Sequence, residues 1–199
     1  LNQKSIILPL GEVKISRNVK SILIIVRMNT DVEIWDQNKK RLFEQPKIEY
    51  SYRSINSLIS SINFCQNKYP KLKIKTIIVD DNSNNKNLDR IKKLIDGKNI
   101  DIISLNYDRY KSIIKEQKTK ETFSNLASLM NSFEIGKNQS EDLIFFIEDD
   151  YLHFEPMLEE MVASYERIAS QLKKDFFMCP SDYPYLYMNN EKTNILIGN

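Results

Sequence analysis

Two short acidic runs carry most of the chemistry this sequence could perform: Asp80-Asp81, continued by Asn82 and Ser83, and Glu148-Asp149-Asp150. Each comes directly after an apolar stretch, Lys73–Val79 (KIKTIIV) and Leu143–Ile147 (LIFFI). Adjacent carboxylates repel and are costly to desolvate, so at the end of a buried segment they need hydrogen-bond donors or a cation. A single pair is explained by the ordinary place of aspartate in turns and helix caps. Two such pairs on one rim point to a ligand. A hard divalent cation held by one or two carboxylates, with its other positions on a diphosphate, suits Glu148, Asp149 and Asp150. A carboxylate at Asp81 suits ribose hydroxyls or a base N–H, which it would accept as hydrogen bonds.

Charge is distributed to match. The window from Glu141 to Glu160 holds eight acids and no Lys or Arg, and outside it 29 basic residues face 19 acidic ones. A cation site facing an anionic ligand would have this pattern. Within the window, Glu155, Glu159 and Glu160 read as the solvated face of a following helix.

The elements that must position these acids alternate. Residues 1–20 read as an N-terminal arm, and 21–199 as the domain proper. Ser21–Val26 (SILIIV) is an apolar run of buried-strand type. Residues 29–50 read as a long loop or small hairpin insert. Ile55, Leu58, Ile59 and Ile62 fall at helical spacing in Tyr52–Gln66. After the second strand, Leu88, Ile91, Leu94 and Ile95 mark a helix that Gly97 would stop. Ile100–Leu105 reads as a third strand. The stripe Phe123, Leu126, Ala127, Met130 and Phe133 predicts a helix ending near Gly136, and Leu158 to Leu172 another helix after the fourth strand. Phe176–Cys179 reads as the start of a fifth strand. Strands apolar throughout, alternating with helices, predict an α/β fold with a mainly parallel central sheet covered by helices on both faces. Ligands of such sheets bind beyond the carboxyl ends of the strands, where both acidic runs fall.

Taken in order, SILIIVRMN, IIVDDNSNN and LIFFIEDD followed by EPMLEEMV resemble the nucleotide-sugar glycosyltransferases of the GT-A fold, a Rossmann-like architecture. Val79-Asp80-Asp81-Asn82-Ser83 is similar to the VDDxS motif of family 2 of those enzymes. Glu148-Asp149-Asp150, then Pro156 and a helix, is similar to their DxD region, with Glu148 in place of the more usual Asp. The EDD form is also similar to that of animal-type N-acetylglucosaminyltransferases, whose last acid contacts the metal. The resemblance covers roughly residues 21–180 and implies an enzyme moving a sugar from a nucleotide-diphosphate donor to a glycan or lipid-linked acceptor, as in polysaccharide biosynthesis. It implies Asp150, with Glu148 or Asp149, on Mn²⁺ or Mg²⁺. It also implies Asp81 and Asp80 at the nucleoside and the Arg27-Met28-Asn29 turn beside the base. Asp182 is the candidate for the base that deprotonates the acceptor.

Other residues read more plainly. His153 reads as a loop residue. Tyr183, Tyr185 and Tyr187 suit a half-buried strand or sugar stacking, and Trp35 is either a core anchor or an acceptor contact. Arg109, Lys111, Lys115, Lys118 and Lys120 read as a solvated face, with a membrane-surface or lipid-phosphate role as the second reading. The segment IIVDDNSNNKNLDRIKKLI also resembles the first strand and helix of a response-regulator receiver that binds Mg²⁺ at its acid pair. A receiver would carry its phosphorylatable Asp at a strand end about 45 residues later, where Asn125 stands within a helical stripe. A third reading is a nucleotidyltransferase, or a nucleotide-sugar-binding domain without catalysis, on the same fold.

A net charge of +2 gives no reason to expect nucleic-acid binding. No apolar run exceeds six residues, well short of a membrane span. Two cysteines, Cys65 and Cys179, make no disulfide scaffold. The expected location is therefore the cytoplasm, with peripheral association at the inner membrane face as the second reading. With 49 residues after Asp150, the chain of 199 reads as the nucleotide-sugar half of a transferase, unusually small or cut from a longer protein.

Overall fold

The computed structural model describes residues 8, 11–32, 44–115 and 119–179. Among them, β1 (Ser21–Met28), β2 (Lys73–Asp80), β3 (Ile100–Ser104) and β4 (Leu143–Glu148) form one all-parallel sheet in the order β3-β2-β1-β4. Helix α1 (Lys47–Lys68) joins β1 to β2 and α2 (Asn85–Ile95) joins β2 to β3. A 3₁₀ turn (Tyr107–Tyr110) and α3 (Lys120–Gln139) lead into β4, and α4 (Met157–Leu172) follows it. This is the α/β, Rossmann-like architecture that the apolar strands predict.

The two-residue period of the strands sorts the core. Ile22, Ile24, Val26 and Met28 of β1, with Ile74 and Ile78 of β2 and Ile147 of β4, face the large cluster built with α1, α2 and α4. Leu23 and Ile25, with Ile77 and Val79, face the opposite way and meet Ile135 of α3. Both faces of the sheet are thus covered, three helices on one and α3 on the other. No helix among the described residues is long and apolar enough to cross a membrane.

Several elements depart from what the sequence suggests, each for a physical reason. Helix α1 begins at Lys47, more than a turn before Tyr52, because its first buried seats belong to Lys47, Ser51 and Ser54 as well as Ile48. Helix α3 does not stop at Gly136. A Cβ there would lie 3.0 Å from Ile144 and 3.3 Å from Phe146, so the glycine lets helix and sheet approach closely. Gly97, by contrast, does follow the end of α2 in the left-handed conformation, at φ 69°. Phe176–Cys179 forms no strand; Phe176 instead stacks on Tyr165 of α4 at 4.9 Å. Glu159 is not on a solvated face: it is buried and paired with Lys68 of α1.

Residues 11–20 carry no helix or strand but are stitched down. The amides of Ser16 and Arg17 donate to Ser170 Oγ at 2.9 and 3.0 Å, and that of Val19 donates to Glu166 at 2.7 Å. The Arg17 guanidinium bridges Asp142 and Asp175, tying the start of β4 to the segment after α4.

Candidate functional site

Both acidic runs reach the carboxyl end of the sheet on either side of β1, where the strand order reverses between β1 and β4. Such a crevice is the usual ligand position in an open parallel sheet. Asn29, just past β1, joins its two sides. Its side-chain amide donates to Asp81 Oδ2 and its backbone amide to Asp149 Oδ2, both at 3.3 Å.

On the β2 side the two acids point different ways. Asp80, 1 % exposed, lies on the face shared with Met28 and accepts the Ser83 amide at 3.2 and 3.4 Å. Burial pushes its carboxyl above the usual aspartate value, against the pull of Ser83. Asn82 takes the left-handed conformation at φ 54°, which asparagine tolerates better than most residues. Asp81, half-buried, points the opposite way from Asp80, toward Tyr107 and α3. The Asp81 carboxylate accepts from Asn29, from the Tyr107 hydroxyl and from Ser124 Oγ. A cavity of about 580 Å³ opens beside it, lined by Leu105, Asn106, Tyr107, Phe123 and Ser124 among others. Burial, then Asp81 itself, raises the Tyr107 hydroxyl above its ordinary value, so it remains a donor. The rim is fixed by a further acid, Asp31, which takes the Asn84 amide at 2.6 Å and the Asn87 side chain at 2.9 Å at the start of α2. A negative charge is favoured at that helix end.

On the β4 side the partners are cations. Glu148 is exposed and meets Arg27 at 3.3 Å, and Arg27 also reaches Asn125 and Ser128 of α3. Asp149, 5 % exposed, turns toward α1. Its Oδ1 lies 2.8 Å from Lys47 Nζ, while Oδ2 accepts from Ser51 Oγ at 2.5 Å and from the Asn29 amide. Three donors converge on this carboxylate, an arrangement that suits its ionised form. Burial pushes Asp149 up and alone would push Lys47 down, but Asp149 and Asp150 outweigh burial and hold the ammonium above the ordinary lysine value. The Asp150 side chain is 49 % exposed, with Oδ2 3.0 Å from the same Nζ.

Serines of α1 hold the rest of this segment. Ser51 takes Asp149, Ser57 Oγ accepts the His153 amide at 3.0 Å, and Ser61 Oγ accepts the Leu158 amide at 3.0 Å. The last of these satisfies an orphan N–H in the first turn of α4, whose N-cap, Pro156, offers no side-chain acceptor.

Among the described residues, no group of three or more His, Cys, Asp and Glu side chains is arranged to hold a metal ion. Asp149 has both oxygens engaged and does not fit that role. Asp150, half exposed, offers hard carboxylate oxygens, whereas Glu148 is turned to Arg27 on the α3 side. One such carboxylate suits a small divalent cation whose other positions come from phosphate and water. His153 keeps its Nε2 buried with no partner, and burial lowers its pKa to about 4.

Of the residues expected at the site, Asn29, Asp81 and Asp149 are linked, and Arg27 meets Glu148. Asp80 supports its own turn, and Met28 is buried in the core, with its carbonyl accepting the Asp81 amide at 2.8 Å. Asp182, Trp35, Lys118 and Tyr183, Tyr185 and Tyr187 lie outside the described residues. Arg109 and Lys111 pair locally, with Glu134 and Asp108. Sequence reasoning missed Lys47, Ser51, Tyr107 and Ser124. A signal existed for Lys47: a lysine in a first helical turn opposes the helix dipole and so calls for another partner.

Comparison with protein-family models finds none that matches the chain, and comparison with curated proteins finds no match either. Fold and rim together define the class: a Rossmann-like α/β domain with acids beyond the carboxyl end of the strand on each side of β1.

Proposed function

We propose that this protein is a metal-dependent glycosyltransferase that moves a sugar from a nucleotide-diphosphate donor to a glycan or lipid-linked acceptor. The observation that carries the reading is the pair of outward acids, Asp81 and Asp150, flanking the end of β1 in unlike surroundings. Asp81 stands among hydroxyl donors beside an aromatic-lined cavity. Ribose hydroxyls would replace those of Tyr107 and Ser124 on its carboxylate, with the base in the cavity near Tyr107 and Phe123. Asp150, joined by Glu148 once that side chain leaves Arg27, would hold Mn²⁺ or Mg²⁺, which when bound neutralises charge on the diphosphate leaving group. Asn29 keeps the two halves in register, because one residue donates to both rims. Asp182 is retained as the proposed base toward the acceptor, and Arg27 as a border of the site through Glu148 and α3.

The strand order supports this reading over the receiver. A receiver carries its acid pair on the first strand of a 2-1-3-4-5 sheet. Here the pair ends β2, and β1 lies between β2 and β4.

A thermal-shift screen of UDP, GDP and CMP sugars with and without Mn²⁺ tests the proposal. Metal-dependent stabilisation by one nucleotide, lost in Asp150→Ala, is expected. Silence toward every nucleotide, with phosphorylation by acetyl phosphate instead, would overturn it. Turnover of the stabilising sugar nucleotide separates the enzyme from a non-catalytic binding domain.

A further inference from the structure

Lys47 has no part in the motifs that suggest a transferase, yet it is the most constrained cation at the rim. Its side chain is 7 % exposed, and its ammonium lies 2.8 Å from Asp149 and 3.0 Å from Asp150. It belongs to the first turn of α1, where the helix dipole opposes a positive charge. The two carboxylates must therefore be what holds it there.

We propose that Lys47 is a resident counter-cation of Asp150, a positioning residue that makes divalent-metal binding conditional on a diphosphate. The inference rests on the transferase reading of the same rim. A cation on Asp150 alone would lie beside the Lys47 ammonium, and like charges a few ångströms apart in a half-buried site oppose each other. Lys47 has little room to withdraw, because it is buried and anchored by Asp149. Asp149 cannot take the cation in place of Asp150, since Lys47, Ser51 and the Asn29 amide occupy its oxygens. Glu148 is turned to Arg27. A diphosphate changes the balance: its oxygens accept from the ammonium and coordinate the metal together, so each cation is stabilised by the same anion. Metal and diphosphate then bind with positive coupling, and by linkage each tightens the other equally.

Binding of Mn²⁺, read by electron paramagnetic resonance, tests this with Mn²⁺ alone and with inorganic pyrophosphate, corrected for the complex the two form in solution. In the wild type, pyrophosphate is expected to tighten Mn²⁺ by about 10- to 100-fold. The double variant Lys47→Met/Asp149→Asn removes the ammonium and its buried partner together, leaving no lone buried charge. It is expected to bind Mn²⁺ alone about tenfold more tightly than wild type, with the pyrophosphate effect shrunk to match. Lys47→Arg, which keeps the charge, is expected to behave as wild type. Should the double variant fail to fold, Lys47→Gln removes the ammonium alone and is expected to bind Mn²⁺ at least as tightly as the double variant, because Asp149 keeps its charge.

Equal affinity for Mn²⁺ alone in wild type and the charge-removed variant would overturn the proposal, as would a wild type indifferent to pyrophosphate. If coupling to pyrophosphate appears but no nucleoside diphosphate or sugar nucleotide binds, the transferase reading fails and the role of Lys47 stands.

Discussion

The ends of β2 and β4 solve one problem in two ways. Each strand finishes in adjacent acids, and in each case one acid turns into the protein while another faces out: Asp80 and Asp81 on β2, Asp149 and Asp150 on β4. On the β2 side the inward carboxylate is satisfied by Ser83, and the outward one by an amide and two hydroxyls. On the β4 side both are met by one buried ammonium, and the neighbouring Glu148 by a guanidinium. Neutral donors can be exchanged for the hydroxyls of a ligand at little electrostatic cost, whereas a rim already built around cations is suited to phosphate. The same residue types at homologous strand ends thus acquire different chemistry from the helices packed beside them.

Breaking the β4 side should cost the most. Asp149→Ala leaves the buried Lys47 ammonium with Asp150 alone and the Ser51 and Asn29 donors unmatched, and is expected to destabilise the fold by about 3 kcal/mol in urea unfolding. The double variant Lys47→Met/Asp149→Asn should recover much of that loss. On the β2 side, Asp81→Asn retains an acceptor but loses the charge. It should weaken nucleoside diphosphate binding about tenfold, or ~1.4 kcal/mol, by calorimetry while leaving the melting temperature nearly unchanged.

His153, held by Ser57 on the β4 side, sharpens the contrast through pH. Its pKa is lowered from 6.5 to about 4 in the fold, so the folded state resists its protonation. The stability it contributes is complete above pH 6.5 and is lost as pH falls toward 4. A His153→Gln variant should show a flatter melting profile across that window. The smallest effect, of opposite sign, belongs to Asp80. Burial raises its carboxyl above the unfolded value, so its contribution is greatest at low pH and is lost as pH rises through the folded value. Asp80→Asn keeps the acceptor for Ser83 and should melt slightly above wild type at pH 7. That gap should close as pH falls below the ordinary aspartate range.

The strands and the acid pairs were legible in the sequence because both signals are local: uninterrupted apolar runs, then charge. Which acid turns inward was not, since a two-residue period sorts side chains into faces without saying that α1 covers one and α3 the other. Lys47 was hidden for a related reason. Polar residues in buried seats, Lys47, Ser51 and Ser54, erased the apolar stripe that would have announced the first turn of α1. Gly136 shows the converse, a residue whose usual meaning at a helix end gave way to close packing against Ile144 and Phe146. Phe176–Cys179 is apolar enough for a strand, but Phe176 gains its contact from the Tyr165 ring instead of a sheet partner.

The two rims are proposed to hold different parts of one ligand. Calorimetric titration of a nucleoside diphosphate and of the matching nucleoside, in the presence of Mn²⁺, into wild type and Asp150→Asn tests it most directly. The expected result is that Asp150→Asn weakens the diphosphate by about tenfold or more and leaves the nucleoside unaffected. Equal loss for both ligands, or binding of neither to the wild type, would contradict it.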